Sequence, residues 1–208
     1  MSKPSARWPS WSGNALQGLA FWIGHRHALY SNYPLGESAL VAEACNLIYA
    51  HLGHGETLLC EQKYTRLMPD AAWPNEQGSK PRADLAIVKG LTHSQAKKLA
   101  SLSGHLSAVI EVKRASSPRS QIDNDLKRLA IFKNANPDVR ALLFVVAESH
   151  RPKRFVTHEG VALRGKHDIH EHDAHYRVRR VCKAAASFSG KEKAHYACII
   201  EVFSGAQP

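Results

Sequence analysis

Between its polar flanks, the run RALLFVVAE (residues 140–148) is apolar at every position from Ala141 to Ala147. Strand side chains alternate between two faces, so such a run is buried on both and belongs at the centre of a sheet covered by helices. Two further strand-like runs precede it, ADLAIVK (83–89) and LSAVIEVK (106–113). Between the second of these and the central run lies SQIDNDLKRLAIFKN (120–134), whose Ile122, Leu126, Leu129 and Ala130 fall on one helical face. Upstream, ESALVAEACNLIYAHLG (37–53) carries Leu40, Val41, Ala44, Leu47, Ile48 and Leu52 on one stripe and stops at Gly53. NALQGLAFWIGHRHALY (14–30) has helical spacing weakened by Gly18 and Gly24.

TLLCEQKYT (57–65) reads as a strand, the proline-rich 67–82 as a loop, 92–104 as a short helix, and YACIIEVF (196–203) as a last strand. The order is helix, three strands, helix, strand, which predicts an α/β fold with a central mixed sheet flanked by helices. Residues 1–36 read as an arm and a helix. Residues 37–208 read as the main domain, with a core over 37–148 and a basic His/Arg-rich extension over 149–208.

Length and charge narrow the partners. At 208 residues the chain suits one sizeable domain. Twenty-eight Lys and Arg against 18 Asp and Glu give a net charge of +10, which points to an acidic partner, most commonly nucleic acid. No apolar run approaches the roughly 20 residues of a membrane span, and the first residues lack a secretory signal. Cys45, Cys60, Cys182 and Cys198 are scattered without a CxxC pair. They read as reduced thiols of a cytoplasmic protein.

Within 106–113, Glu111 and Lys113 interrupt a core-like pattern and share a face, about 7 Å apart from the strand rise. They either leave the core for water or form a buried charged group, which costs several kcal/mol unless paired or metal-bound. Asp84 opens the neighbouring strand. Glu43 sits beside the apolar stripe of helix 37–53, where a surface helix seldom keeps an acid. Carboxylates brought together repel unless a divalent cation lies between them, and an oxygen-only donor set favours magnesium or manganese.

Asp84 followed by Glu111-Val112-Lys113, in the order α-β-β-β-α-β over residues 37–148, resembles the PD-(D/E)xK nuclease superfamily with its restriction-endonuclease-like fold. Ala83 stands where the motif has proline. The literal Pro69-Asp70 is set aside because it lies in a proline-rich loop. The resemblance implies a divalent-metal-dependent nuclease. Asp84 and Glu111 would hold Mg2+ or Mn2+, Lys113 would orient the attacking water, and an acid of the first helix would complete the site. Glu43 is favoured over Glu37, which lies at a helix start where an acid simply suits the dipole. Glu61, Gln121 and Asp125 are accessory candidates, Asp125 equally readable as solvated.

The last third supplies RGKHDIHEHDAHYRVRRVCK (164–183). His167, His170, His172 and His175 fit no familiar zinc spacing. Arg177, Arg179, Arg180 and Lys183, with His175, read as a surface for DNA, since arginine pairs with phosphate and guanine; RNA stays open. The plainer reading is a solvated basic edge. Trp8, Trp11, Trp22 and Trp73 are read as core by default, with base stacking or a homodimer contact as the other roles. Two other classes of function stay in view: a catalytically inactive nucleic-acid-binding module on the same fold, and a His-rich metal-binding protein.

Overall fold

A computed structural model describes residues 8–33, 35–69, 81–184 and 194–205. Asp70 and Trp73, and most of the proline-rich 67–82 segment, lie outside the described residues. The elements are α1 (Ser10–Tyr30), α2 (Glu37–Tyr49), β1 (Glu56–Lys63), α3 (Tyr64–Leu67), β2 (Arg82–Lys89), α4 (His93–Lys98), β3 (Leu106–Arg114), α5 (Arg119–Ala135), β4 (Arg140–Ala147), β5 (His167–Asp168), β6 (Ala174–Lys183) and β7 (Tyr196–Ser204). The seven strands form one mixed sheet in the order β1-β2-β3-β4-β7-β6-β5. Only β3 and β4 pair in parallel, and α5 makes the crossover between them, as parallel neighbours require. The apolar run over β4 lies at the middle of the sheet and is buried from Ala141 to Ala147, as its lack of alternation demands.

Two apolar layers cover the sheet. On one face α5 lays Ile122, Leu126, Leu129 and Ala130 against Val109, Leu143, Val145 and Ile200. On the other, α1 and α2 bring Leu16, Leu19, Ile23, Leu40 and Ile48 against Leu85, Ile110, Val112, Phe144 and Ile199. The glycines that weakened the sequence pattern of α1 have a packing reason. A Cβ on Gly18 would sit 2.7 Å from the Leu47 side chain, and one on Gly24 would sit 3.1 Å from the Ala184 Cβ. Glycine lets α1 approach α2 and the end of β6 this closely.

The N-terminal helix starts earlier than its periodicity suggested, at Ser10 and not residue 14, and Trp11 is buried in the layer it shares with α2. The 92–104 helix is shorter than predicted, ending at Lys98. Its start is fixed by a capping box between Thr92 and Gln95. Strands β6 and β7 belong to the same sheet as β1–β4, and α1 packs on both, so these strands of the C-terminal section continue the core layers. Among the described residues, no helix is long and apolar enough to cross a membrane.

Candidate active site

Antiparallel β2 and β3 pair as far as Leu85↔Ile110, and one residue beyond that pair stand Asp84 and Glu111. There the Asp84 carboxylate takes over the role of a ladder partner: its Oδ2 accepts the Val112 N–H at 2.7 Å. The acid is thereby tied to the residue between Glu111 and Lys113. On the other side of β2, Glu61 of β1 holds the register position opposite Asp84, flanked by the pairs Cys60↔Leu85 and Gln62↔Ala83. Glu61 adopts φ +54°, a left-handed conformation that side chains other than glycine seldom take and that clusters at functional sites.

Glu111 faces the α5 layer, in phase with core residue Val109. It is 2% exposed. Its Oε1 accepts the Tyr64 hydroxyl at 2.7 Å, and the Arg128 Nε lies 3.7 Å away. Burial pushes its carboxyl well above the usual range, and repulsion from Asp84 and Asp125 adds to this; Arg128 and the Tyr64 bond only partly offset it. Asp84 is likewise raised by burial, against the pull of the Val112 amide and Lys113. Asp125, the residue readable as solvated, is buried on α5 and pushed up to about 6 by burial, with Arg128 and Lys113 opposing.

Lys113 joins the three elements. Its ammonium pairs with Glu37 at the first residue of α2 and lies 3.4 Å from Asp125 Oδ2 on α5. Burial alone would lower its pKa, but the Glu37 bond and the charges of Asp125 and Asp84 hold it above the ordinary lysine value. Lys113 is therefore a cation at neutral pH and has no proton to accept.

The helix acid in contact with Lys113 is Glu37, where the sequence favoured Glu43. Six residues of helix carry Glu43 about 9 Å further along and roughly a third of a turn around from Glu37. Glu43 is half-buried at that position. Two partners were missed. Tyr64 sits at the mouth of a proline-rich loop and carried no periodic signal. Arg128 was legible in principle, since it lies one turn from Asp125 and pairs with it.

The basic residues of β6 go elsewhere. β6 pairs Tyr176 with Val202 in the α5 layer, so Arg177 and its cross-strand partner Glu201 turn to the α1 side of the sheet, opposite Glu111. Arg179 Nε lies 3.2 Å from Glu201, and its guanidinium stacks 5.1 Å from the Trp8 ring centroid and 5.9 Å from that of Phe203. Arg177 stacks over Phe203 at 5.6 Å. With Arg180, Trp8, Arg164 and Gly165, these two arginines line a cavity of ≈570 Å³, and Lys183 is exposed at the strand end. His175 is withdrawn from any surface role: it is fully buried, stacked 5.3 Å from Phe203, and neither ring nitrogen has a hydrogen-bond partner.

The donor set around Asp84 and Glu111 is carboxylate only, which suits a hard cation. Among the described residues, no three His, Cys, Asp or Glu side chains are grouped so as to hold a metal ion. Magnesium does not need such a cage, being commonly held by one or two carboxylates with water and substrate phosphate. The repulsion that half-buried Asp84 exerts on buried Glu111 is the feature that a divalent ion would relieve. No protein-family model, curated protein or solved structure matches the chain.

Proposed function

We propose that the chain is a divalent-metal-dependent nuclease with a restriction-endonuclease-like core, acting on the phosphodiester bonds of DNA. The observation that carries this reading is the gathering of Asp84, Glu111 and Lys113 at the point where β2 and β3 part. The three come from two strands, and each lies within electrostatic reach of another. The element order through α2, β1–β3, α5 and β4 is the one the PD-(D/E)xK resemblance implies.

Asp84 and Glu111 would hold Mg2+ or Mn2+, and the ion would neutralise phosphate charge and lower the pKa of water. The rest falls to the protein. Lys113, fixed as a cation by Glu37 and Asp125, offsets charge on the scissile phosphate and orients the attacking water by donating to it. Glu37 sets the ammonium's direction, so it is a positioning residue in this account. Tyr64 and Arg128 keep Glu111 turned toward the parting of the strands. Arg128 also pairs with Asp125 and offsets its charge beside Glu111.

Incubation of plasmid with the protein in Mg2+, Mn2+ or chelator tests the reading. Cleavage should require the metal and disappear in Asp84→Asn and Lys113→Met variants that retain the native melting transition. Undiminished cleavage in both variants, or none by the native chain under any condition, overturns it. In the second case, binding of the same DNA would leave the non-catalytic module as the better reading.

A further inference from the structure

The loop that leaves β3 after Lys113 and Arg114 enters the N-terminus of α5, and a cavity of ≈500 Å³ opens there. Its wall includes Ser117, Arg119, Arg151, Lys153 and Arg154. Arg119 and Arg154 are shared with a second cavity of ≈780 Å³ running along α5, which adds Lys127 and Lys166 against Asp123 and Asp168. Helix α5 is 17 residues long and has no side-chain N-cap, so its first N–H groups point outward unpaired by the helix.

Two side chains in this cavity lack the partner that burial demands. Ser117 is only 8% exposed, and its hydroxyl has no hydrogen-bond partner. Arg154 gives Nη2 to Asp123 at 2.7 Å and Nε to the Tyr176 hydroxyl at 3.3 Å, yet its buried Nη1 has none. A buried polar hydrogen without an acceptor is costly. A serine hydroxyl and a guanidinium N–H beside a helix start, in the wall of one cavity, supply the kinds of donor an anion site uses.

We propose that this cavity binds a phosphate of a nucleic-acid strand and that the ≈780 Å³ trough along α5 carries the strand onward. This deepens the nuclease reading, and rests on it, only in assigning the strand to the substrate. The binding itself does not depend on cleavage. The cavity begins two residues after Lys113 and lies on the α5 side of the sheet, the side that Glu111 faces. The cavity and its trough therefore open on the same side of the sheet as the acidic centre, whereas Arg177 of β6 lies on the other face.

The test is binding of a fluorescein-labelled DNA oligonucleotide, single-stranded and duplex, in EDTA over a series of salt concentrations. Arg119 and Lys153 are exposed, and the Arg119 pair with Asp123 is a surface i,i+4 pair, so Arg119→Gln/Lys153→Gln spares the fold, whereas Arg154 substitutions break the half-buried pair with Asp123 and the Tyr176 bond. The double variant should bind roughly tenfold more weakly or worse, and its log–log salt slope should fall by about 0.7 per lost contact on a single strand and 0.9 on a duplex. Ser117→Ala should weaken binding several-fold, and millimolar inorganic phosphate should compete. Unchanged affinity and slope in these variants overturns the proposal. Binding of inorganic phosphate or a nucleoside monophosphate without affinity for the oligonucleotide overturns the strand and leaves a small-phosphate site. If the native chain binds in this variant-sensitive way but cuts nothing, the phosphate site stands and the nuclease reading falls. If it cuts while the variants bind as the native chain does, the reverse holds.

Discussion

Asp84 Oδ2 accepts the backbone N–H of Val112 at 2.7 Å, joining the acid near the start of β2 to the residue between Glu111 and Lys113 on β3. The bond does two things at once. It marks the place where the two strands part, and it holds the half-buried Asp84 close enough to buried Glu111 to raise the pKa of Glu111. Around that point the protein has placed Lys113 and Arg128 as counter-charges.

The pairing of Lys113 with Glu37 separates the two acids of α2 by experiment. Glu37→Gln leaves the half-buried ammonium with Asp125 as its remaining close acid and should lower cleavage about tenfold, the effect of losing one charge-assisted hydrogen bond. Glu43→Gln, about 9 Å further along the helix, should stay within twofold of the native rate. Equal losses, or the opposite order, would return the role to Glu43. Cleavage rate constants under saturating metal make the comparison.

His175 is a buried imidazole with no hydrogen-bond partner, and burial lowers its pKa, with Lys166 and Arg177 adding to the shift and Asp168 opposing it. A folded-state pKa below the unfolded value means that the unfolded chain takes up the proton first. Stability is therefore complete above the unfolded value of 6.5 and is lost as pH falls below it. His195, also lowered by burial and holding the Ser149 N–H on Nδ1 at 3.1 Å, acts in the same direction. His175→Phe keeps a ring against Phe203, so it should stabilise by about 1 kcal/mol at neutral pH and shrink the fall in Tm between pH 7 and 5. A steeper fall in the variant would contradict this.

Cys45 on α2 and Cys60 on β1 hold their sulfurs 3.4 Å apart, while Cys182 and Cys198 are buried. Burial and then the bond to Cys45 push the Cys60 thiol up to about 11, so Cys60 rests as a thiol at neutral pH. Diamide, which takes one hydrogen from each thiol, should remove two of the four titratable thiols and leave the other two until the chain unfolds. Closing the loop between residues 15 apart should stabilise by about 3 kcal/mol. Loss of no thiols, or of all four in the native protein, would contradict the assignment. Thiol counts before and after denaturation read it directly.

Much of the sheet was legible because its signal is local. The unalternating run over β4 demanded the central position, and the crossover helix α5 followed from its 3.6-residue stripe. Asp84, Glu111 and Lys113 were legible as breaks in apolar patterns, since a charge in a core strand must have a partner. What was not legible depended on register between distant elements. Whether Glu37 or Glu43 reaches Lys113 is decided by how α2 enters its layer, and helical spacing in isolation favoured Glu43, whereas Lys113 pairs with Glu37. The surroundings of the β6 arginines were hidden for a related reason. Alternation places them on one face, but a register shift between Val178 and Arg180 and the aromatic rings of Trp8 and Phe203 determine what they meet there. Ser117 carries no sequence signal, because an unpartnered hydroxyl is visible only once the surrounding walls are built.

The central claim is that Asp84 and Glu111 together hold one hard cation. Titration of Mn2+ into the protein, followed by the loss of free-ion EPR signal, tests it without any substrate. The account predicts a site in the native chain that is abolished or weakened at least tenfold in both Asp84→Asn and Glu111→Gln and kept in Glu43→Gln. Equal Mn2+ affinity in the native chain and the first two variants, or no binding by the native chain, would contradict it.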